Sequence, residues 1–257
     1  MRGGLRGAAR AGEVSLPVAR PLSVPCPMAD FPFDAVLFDC DGVLVDSEPI
    51  TNRVLTEMLG ELGWQLSVEE AMQIFVGKAV RDEAALIEAR TGFAITADWL
   101  MQFRARRNEA LDRELVAIDG AASAVRALYA TLDGRIAVAS GADRVKVELQ
   151  LAKAGILDCF TGRISSGHET PRNKPYPDVY LAAAAGLGVD PQRCAVVDDT
   201  VTGVTAGVAA GATVFGYCPK ELSHSSATAL HGAGAVHVFR DMAELPALLA
   251  GWRGVQG

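Results

Sequence analysis

Asp39 and Asp41 stand two residues apart, directly after the apolar run Ala35-Val36-Leu37-Phe38. If that run is a buried strand, alternation points both carboxylates the same way at its end. Gly42 then permits a sharp turn. Open α/β sheets bind ligands at the carboxyl ends of their parallel strands. Paired acids there suit a metal ion and a nucleophile better than they suit solubility. Asp-x-Asp pairs also occur in calcium loops, so the pair takes its meaning from what lies beside it.

Two further apolar runs end in groups of the same kind. Ile136-Ala137-Val138-Ala139 ends in Ser140-Gly141, where a hydroxyl and exposed backbone N–H groups would suit phosphate oxygens. A Ser before a Gly is also ordinary turn chemistry. Cys194-Ala195-Val196-Val197 ends in Asp198-Asp199-Thr200. Adjacent acids repel and cost stability unless a cation answers them. Between these runs lies Lys174-Pro175-Tyr176-Pro177-Asp178. A lone loop lysine is normally solvated, but here two prolines stiffen its loop.

The elements that must position these groups follow from patterning. After Asp46 no strand-like text occurs until about residue 135, and residues 47–118 read as amphipathic helices. Ser47 is placed as an N-cap with Pro49 in the first turn. Arg104, Arg106, Arg107 and Arg113 read as a solvated helix face. From residue 119, helices and strands alternate. Strands are expected at 135–139, 163–165, 194–197, 212–215 and 235–239, with helices at 121–132, 144–154, 179–187, 203–210 and 242–252. That alternation implies an α/β fold, a doubly wound parallel sheet. The sheet core is assigned to 30–46 and 119–257, with a helical insertion at 47–118. Residues 1–29 carry Arg2, Arg6, Arg10 and Arg20 against Glu13, with many Gly and Pro. They are expected to be disordered, and translation from Met28 is the simplest account of them.

Composition narrows the partners. The 257 residues are 50% hydrophobic with a net charge of −7, enough for a large α/β core and a smaller second domain. The charge argues against nucleic acid, and the lack of an apolar run of about 18 residues argues against a membrane span. The five cysteines are odd in number and form no CxxC pair, which points to buried thiols in a reducing cytosol, hence a cytoplasmic protein. Cys40 is expected to pack on the face opposite Asp39 and Asp41. His168, His224, His231 and His237 show no metal spacing and read as surface or loop residues.

In order and placement, these stretches resemble the four motifs of the haloacid dehalogenase superfamily. The resemblance is closest to its helical-cap sugar-phosphate phosphatases and β-phosphoglucomutase-like proteins. It implies that Asp39 is the nucleophile and Asp41 the general acid/base. Ser140, with Gly141 where relatives often carry Asn, would bind phosphate. Lys174 would neutralise the nucleophile and the phosphoryl group. Mg²⁺ would be held by Asp39, the Asp41 backbone carbonyl and Asp199, with Asp198 acting through water. The implied reaction is hydrolysis of a small phosphorylated metabolite through an aspartyl-phosphate, by a monomer or homodimer. The loop 77–82 sits where relatives place a specificity loop, so Lys78 and Arg81 either contact a substrate carboxylate or hydroxyls or are solvated. The stretch from Val196 to Val201, with Gly216-Tyr217-Cys218, is similar to bacterial phosphatases acting on phosphosugar acids such as 6-phosphogluconate. A phosphomutase is the alternative, but mutase-like relatives carry a His twelve residues after the nucleophile, and this chain has Thr51. Dehalogenases lack the second acid, here Asp41. Phosphonate-cleaving relatives need a cap lysine, and Lys78 is the only lysine within 47–118.

Overall fold

β1 (Ala35–Phe38) is buried along its whole length because it lies inside a wholly parallel sheet. The computed structural model describes residues 31–75, 78–220 and 224–254. The expected disorder of 1–29, the start at Met28, and Gly77 lie outside the described residues. After β1 come α1 (Glu48–Glu61), α2 (Val68–Phe75), α3 (Ala84–Thr91), α4 (Ala97–Glu114) and α5 (Ala121–Thr131). Then follow β2 (Ile136–Ser140), α6 (Arg144–Lys153), β3 (Ile164–Ser166), α7 (Asp178–Leu187), β4 (Cys194–Asp198) and α8 (Val201–Ala209). The chain continues with β5 (Thr213–Tyr217), α9 (Ala227–Gly232), β6 (His237–Phe239) and α10 (Leu245–Ala250).

The strand order is β3-β2-β1-β4-β5-β6, with every pairing parallel. Val36 and Phe38 enter one apolar cluster, with side chains of α5, α6 and α10. Ala35 and Leu37 enter another on the opposite face, with side chains of α7, α8 and α9. Period-two alternation covered on both sides is why β1 reads as a continuous apolar run. The doubly wound sheet expected from the sequence is the one formed. Its order reverses at β1, so the carboxyl ends of β1 and β4 flank the crevice where such sheets bind ligands.

Two elements differ from expectation. Helix α9 was not foreseen; it is short and rich in small residues, and only its Ser226 cap marks it, accepting from Ala229 N–H. The final helix splits into a 3₁₀ turn, Met242–Glu244, and α10. Pro246 has no N–H to donate, so it is accommodated in the first turn of α10.

Helices α1 to α4 build a third apolar cluster around Leu55, Met58, Leu59, Ile87 and Phe103. Trp99 stacks on Phe103 at 6.1 Å. The way into and out of this block is sewn together. Asp46 N–H donates to Val116 carbonyl (3.1 Å) and Ile118 N–H to Leu44 carbonyl (3.0 Å). Among the described residues no helix is long and apolar enough to cross a membrane. Cys40, Cys159 and Cys194 are buried, free thiols, and Cys218 is buried as well.

Candidate active site

Asp39 leaves β1 beside the last residues of β4, its N–H donating to Val197 carbonyl at 2.9 Å. Lys174 reaches in from the loop before α7. Its Nζ lies 2.7 Å from Asp39 Oδ1 and 2.9 Å from Asp198 Oδ2. Tyr180 O–H donates to Asp198 Oδ2 at 2.6 Å. Thr200 donates its N–H (2.9 Å) and O–H (2.8 Å) to Asp198 Oδ1. Both Asp198 oxygens are therefore occupied by donors. Asp199 is not so supplied. Its Oδ2 meets His224 Nδ1 at 2.6 Å, while its buried Oδ1 has no hydrogen-bond partner. One oxygen each from Asp39, Asp198 and Asp199 lies within 4.8 Å of the others. A buried carboxylate oxygen without a donor is costly, and three acids beside Lys174 and His224 still leave negative charge in excess. The donor set fits a hard divalent cation.

Electrostatics follow from this crowding. Burial drives the Asp39 carboxyl well above the usual carboxylate range; Lys174 pulls it down, and Asp198, Asp199 and Asp41 push it up. Burial disfavours charge on His224, but the Asp199 hydrogen bond and the charges of Asp199, Glu48 and Asp46 outweigh it, raising His224 to about 9. His224 is thus no surface histidine. Its loop carries no periodicity that would have flagged it.

Asp41 has its own set of donors. Lys146 Nζ and Gln150 Nε2 each lie 2.7 Å from Oδ1, and Ser47 O–H donates to the same oxygen. Burial works against ionisation, but Lys146, Ser47 and Gln150 hold Asp41 at about 2. Cys40 Sγ lies 3.3 Å from Gln150 Oε1, which fixes the amide with its N–H facing Asp41. Cys40 is buried in the apolar cluster, a packing residue as expected, but it does not face away from Asp41: both side chains meet Gln150 of α6. Ser47 departs from expectation: its side chain caps no helix N–H, because the hydroxyl is drawn to Asp41. Lys146 and Gln150 were missed by sequence reading. The signal was their place on the buried stripe of α6, beside Val147 and Leu151.

Two glycines set the close approaches. Gly42 has φ +75°, and a Cβ there would run into the Asp199 carboxylate. Gly203 lets α8 lie against Asp198; a Cβ would overlap that carboxylate. Gly207 packs on Val196 and Val214, and Gly211, at φ +87°, closes the turn after α8.

Ser140 is buried at the end of β2, and its Oγ accepts Ala142 N–H at 3.1 Å. Gly141 carbonyl accepts from Asn173 Nδ2 at 2.9 Å. Asp39, Asp41, Gly141 and Lys174 share a cavity of about 310 Å³ with Lys78, Arg81, Arg104 and Arg107 of the helical block. Lys78 is paired with Glu83 at 3.2 Å. The solvated-face reading fails for Arg107, which is 6% exposed and pairs with Asp143, and for Arg104, which is half-buried on the cavity wall. The stripe Trp99, Phe103, Arg107, Leu111 carries Arg107 inward. Arg106 and Arg113 are exposed, as expected. Arg172 is exposed and pairs with Asp178.

A doubly wound sheet that gathers four acids and a lysine at one carboxyl edge, over a cavity closed by helices, defines an α/β enzyme of the phosphoryl- or acyl-transferring kind. The chain belongs to the haloacid dehalogenase-like hydrolases, whose family pattern it matches over residues 33–211. It is 31% identical over 226 residues to 6-phosphogluconate phosphatase of Escherichia coli (strain K12), covering 85% of this chain and 96% of that protein. It is 30% identical over 178 residues to hexitol phosphatase B of the same strain, covering 68% and 79%. The crystal structure of a HAD family hydrolase from Deinococcus radiodurans R1, with bound phosphate and sodium, is similar at TM-score 0.68 and 40% identity. That match covers 86% of this chain and 96% of that one.

Proposed function

We propose that this protein is a Mg²⁺-dependent phosphatase that hydrolyses a small phosphate monoester, a sugar phosphate or phosphosugar acid, with Asp39 as nucleophile. The observation that carries this reading is Lys174 bridging Asp39 and Asp198 next to the unpartnered Asp199 Oδ1. Phosphatases among the relatives support it.

Asp39 attacks phosphorus in line and the ester oxygen leaves, forming an aspartyl-phosphate. Asp41 delivers a proton to the departing oxygen. It then removes one from the water that hydrolyses the intermediate, returning Asp39 and phosphate. Lys146 holds Asp41 ionised at rest; the negative charge of an arriving phosphate ester favours the protonated form that the first half needs. Lys174 offsets the charge on Asp39 and on the phosphoryl oxygens, and Asp198 keeps its ammonium aimed. The Ser140 O–H and the backbone around Gly141 complete the phosphoryl cradle. Asp39, the Asp41 backbone carbonyl and Asp199 would hold Mg²⁺, with Asp198 supporting through water. When bound, the ion supplies positive charge between the carboxylates and the phosphoryl oxygens. Residues 47–118 serve as a cap that excludes bulk water over the core formed by 30–46 and 119–257, with Lys78 and Arg81 on its substrate-facing loop. Thr51 lines the cavity where a mutase-like relative would place histidine, which disfavours the phosphomutase reading.

The test is phosphate release from a panel of sugar phosphates and phosphosugar acids, with Mg²⁺ and with EDTA. Asp39→Asn is expected to lose at least about 10⁴-fold in kcat while keeping its fold. Retained Mg²⁺-dependent turnover in that variant would remove Asp39 from the role.

A further inference from the structure

The cations on the cavity wall divide into two groups. Lys174 is answered by Asp39 and Asp198, Lys146 by Asp41, Arg107 by Asp143, and Lys78 by Glu83. Arg81 and Arg104 line the same cavity, and among the described residues neither guanidinium has a hydrogen-bonded or ion-paired partner; the Asp143 charge, already paired with Arg107, also acts on Arg104. The wall's other carboxylates, Glu48 and Asp82, contact neither guanidinium. Arg104 is half-buried, one residue from the buried Phe103 and three from Arg107. His168 comes to the same wall from the loop after β3.

We infer that Arg104, with Arg81 and His168, forms a subsite for a second oxyanion on the substrate, remote from the phosphoryl group; this rests on the phosphatase reading. The phosphoryl end is fixed by Asp39 and Lys174 at the sheet edge, whereas Arg81 and Arg104 belong to the helical block opposite. A half-buried guanidinium facing a confined cavity loses hydration and gains only if an anion meets it. Its planar fork matches the two oxygens of a carboxylate or the face of a phosphate. His168 reports the same local potential. Burial lowers its pKa, and Arg104, Arg81 and Arg107 lower it further against Asp143, so a neutral ring can add an N–H donor. The protein as a whole carries −7, so this positive region is a local construction. A sugar phosphate ending in a plain alcohol would bring no oxyanion into contact with either guanidinium. A sugar phosphate ending in a carboxylate, or in a second phosphate, would answer them.

Calorimetric binding to Asp39→Asn tests this without turnover, using 6-phosphogluconate, glucitol 6-phosphate and fructose 1,6-bisphosphate. The first two differ only in a terminal carboxylate against a terminal alcohol. The acid is expected to bind about tenfold or more tighter than the alcohol, the scale of a charge-assisted contact. Arg104→Met in the same background is expected to erase that difference, and the exposed Arg81→Gln to reduce it. Tightest binding of the bisphosphate, lost in Arg104→Met, upholds the subsite and names phosphate as its ligand. Equal binding of acid and alcohol, or an equal loss for both in Arg104→Met, overturns it. Wild-type protein that releases no phosphate from any of the three, while Asp39→Asn still prefers the acid, overturns the phosphatase reading and keeps the subsite.

Discussion

Arg107 of α4 and Asp143 at the head of α6 form an ion pair at 2.9 Å, joining the helical block to the sheet core. Asp143 also caps α6, its Oδ1 accepting Lys146 N–H at 3.1 Å. Lys146 and Gln150 of that same helix grip Asp41. The block is thus linked to Asp41 through a cap and two helical side chains. Asn caps a helix about as well as Asp, so Asp143→Asn isolates the charge and leaves a buried Arg107 unpaired. The expected cost is ~2 kcal/mol in urea unfolding. Asp143→Ala, which loses the cap as well, is expected to cost ~1 kcal/mol more. Asp143→Asn as stable as wild type would show that the ion pair adds nothing to the cap.

The same pair has a pH signature. Burial raises the Asp143 pKa, but Arg107 and the Lys146 N–H pull it net below the ordinary value. A depressed folded pKa means the stabilisation is present above the unfolded value of about 3.9. It is lost as pH falls through the lower folded value. The stability gap between wild type and Asp143→Asn is therefore expected to be level from about pH 5 to 8 and to shrink below about pH 4. Urea midpoints across that range measure it; a gap that persists at the acid end would assign the loss to packing.

Much of this was readable from the chain because each strand is an apolar run ending in a polar group. Asp39, Ser140 and Asp198 mark three strand ends, and the rigid Pro-x-Pro segment after Lys174 marks the fourth contributor. Lys146 and Gln150 escaped because their partner, Asp41, is over a hundred residues distant; a polar residue on a buried stripe says that it is paired, not with what. Arg107 carried a readable sign, since it falls in step with Trp99, Phe103 and Leu111 on the apolar side of α4. Of the four arginines in α4, Arg106 and Arg113 fall out of that step and face solvent. His224 sits in a loop, where no period exists to be read.

Asp199 gives the clearest metal prediction. Burial raises its pKa, and nearby Asp198 adds to the rise against His224 and Lys174, so a cation there relieves a real cost. Mg²⁺ at a hundred times its Kd is expected to add ~2.7 kcal/mol. At roughly 2–4 °C per kcal/mol for a chain of this size, the melting temperature rises by several degrees over EDTA-treated protein. Asp199→Asn is expected to abolish that rise, and its metal-free form to melt no lower than metal-free wild type. An undiminished Mg²⁺ shift in the variant would move the ion off Asp199.

Gly203 and Gly207, one helical turn apart on α8, separate site geometry from packing. Alanine favours a helix by up to ~1 kcal/mol over glycine, so either substitution would stabilise α8 in isolation. At Gly203 the new Cβ meets the Asp198 carboxylate. Tyr180, Thr200 and Lys174 hold that carboxylate in place. Relief requires either turning Asp198 away from its donors or shifting α8, and steric strain of ~1–3 kcal/mol outweighs the helix gain. Lys174 then loses its guide, and a displacement near 1 Å can cost about 10²-fold in turnover. At Gly207 the new Cβ meets Val214 Cγ2 at 2.8 Å and Val196 Cγ1 at 3.1 Å, both apolar and remote from the donors. Gly207→Ala is expected to lose stability with kcat within about threefold of wild type, whereas Gly203→Ala loses both. Equal losses of kcat in the two variants would show that the spacing of α8 from the sheet, rather than the contact with Asp198, governs the site.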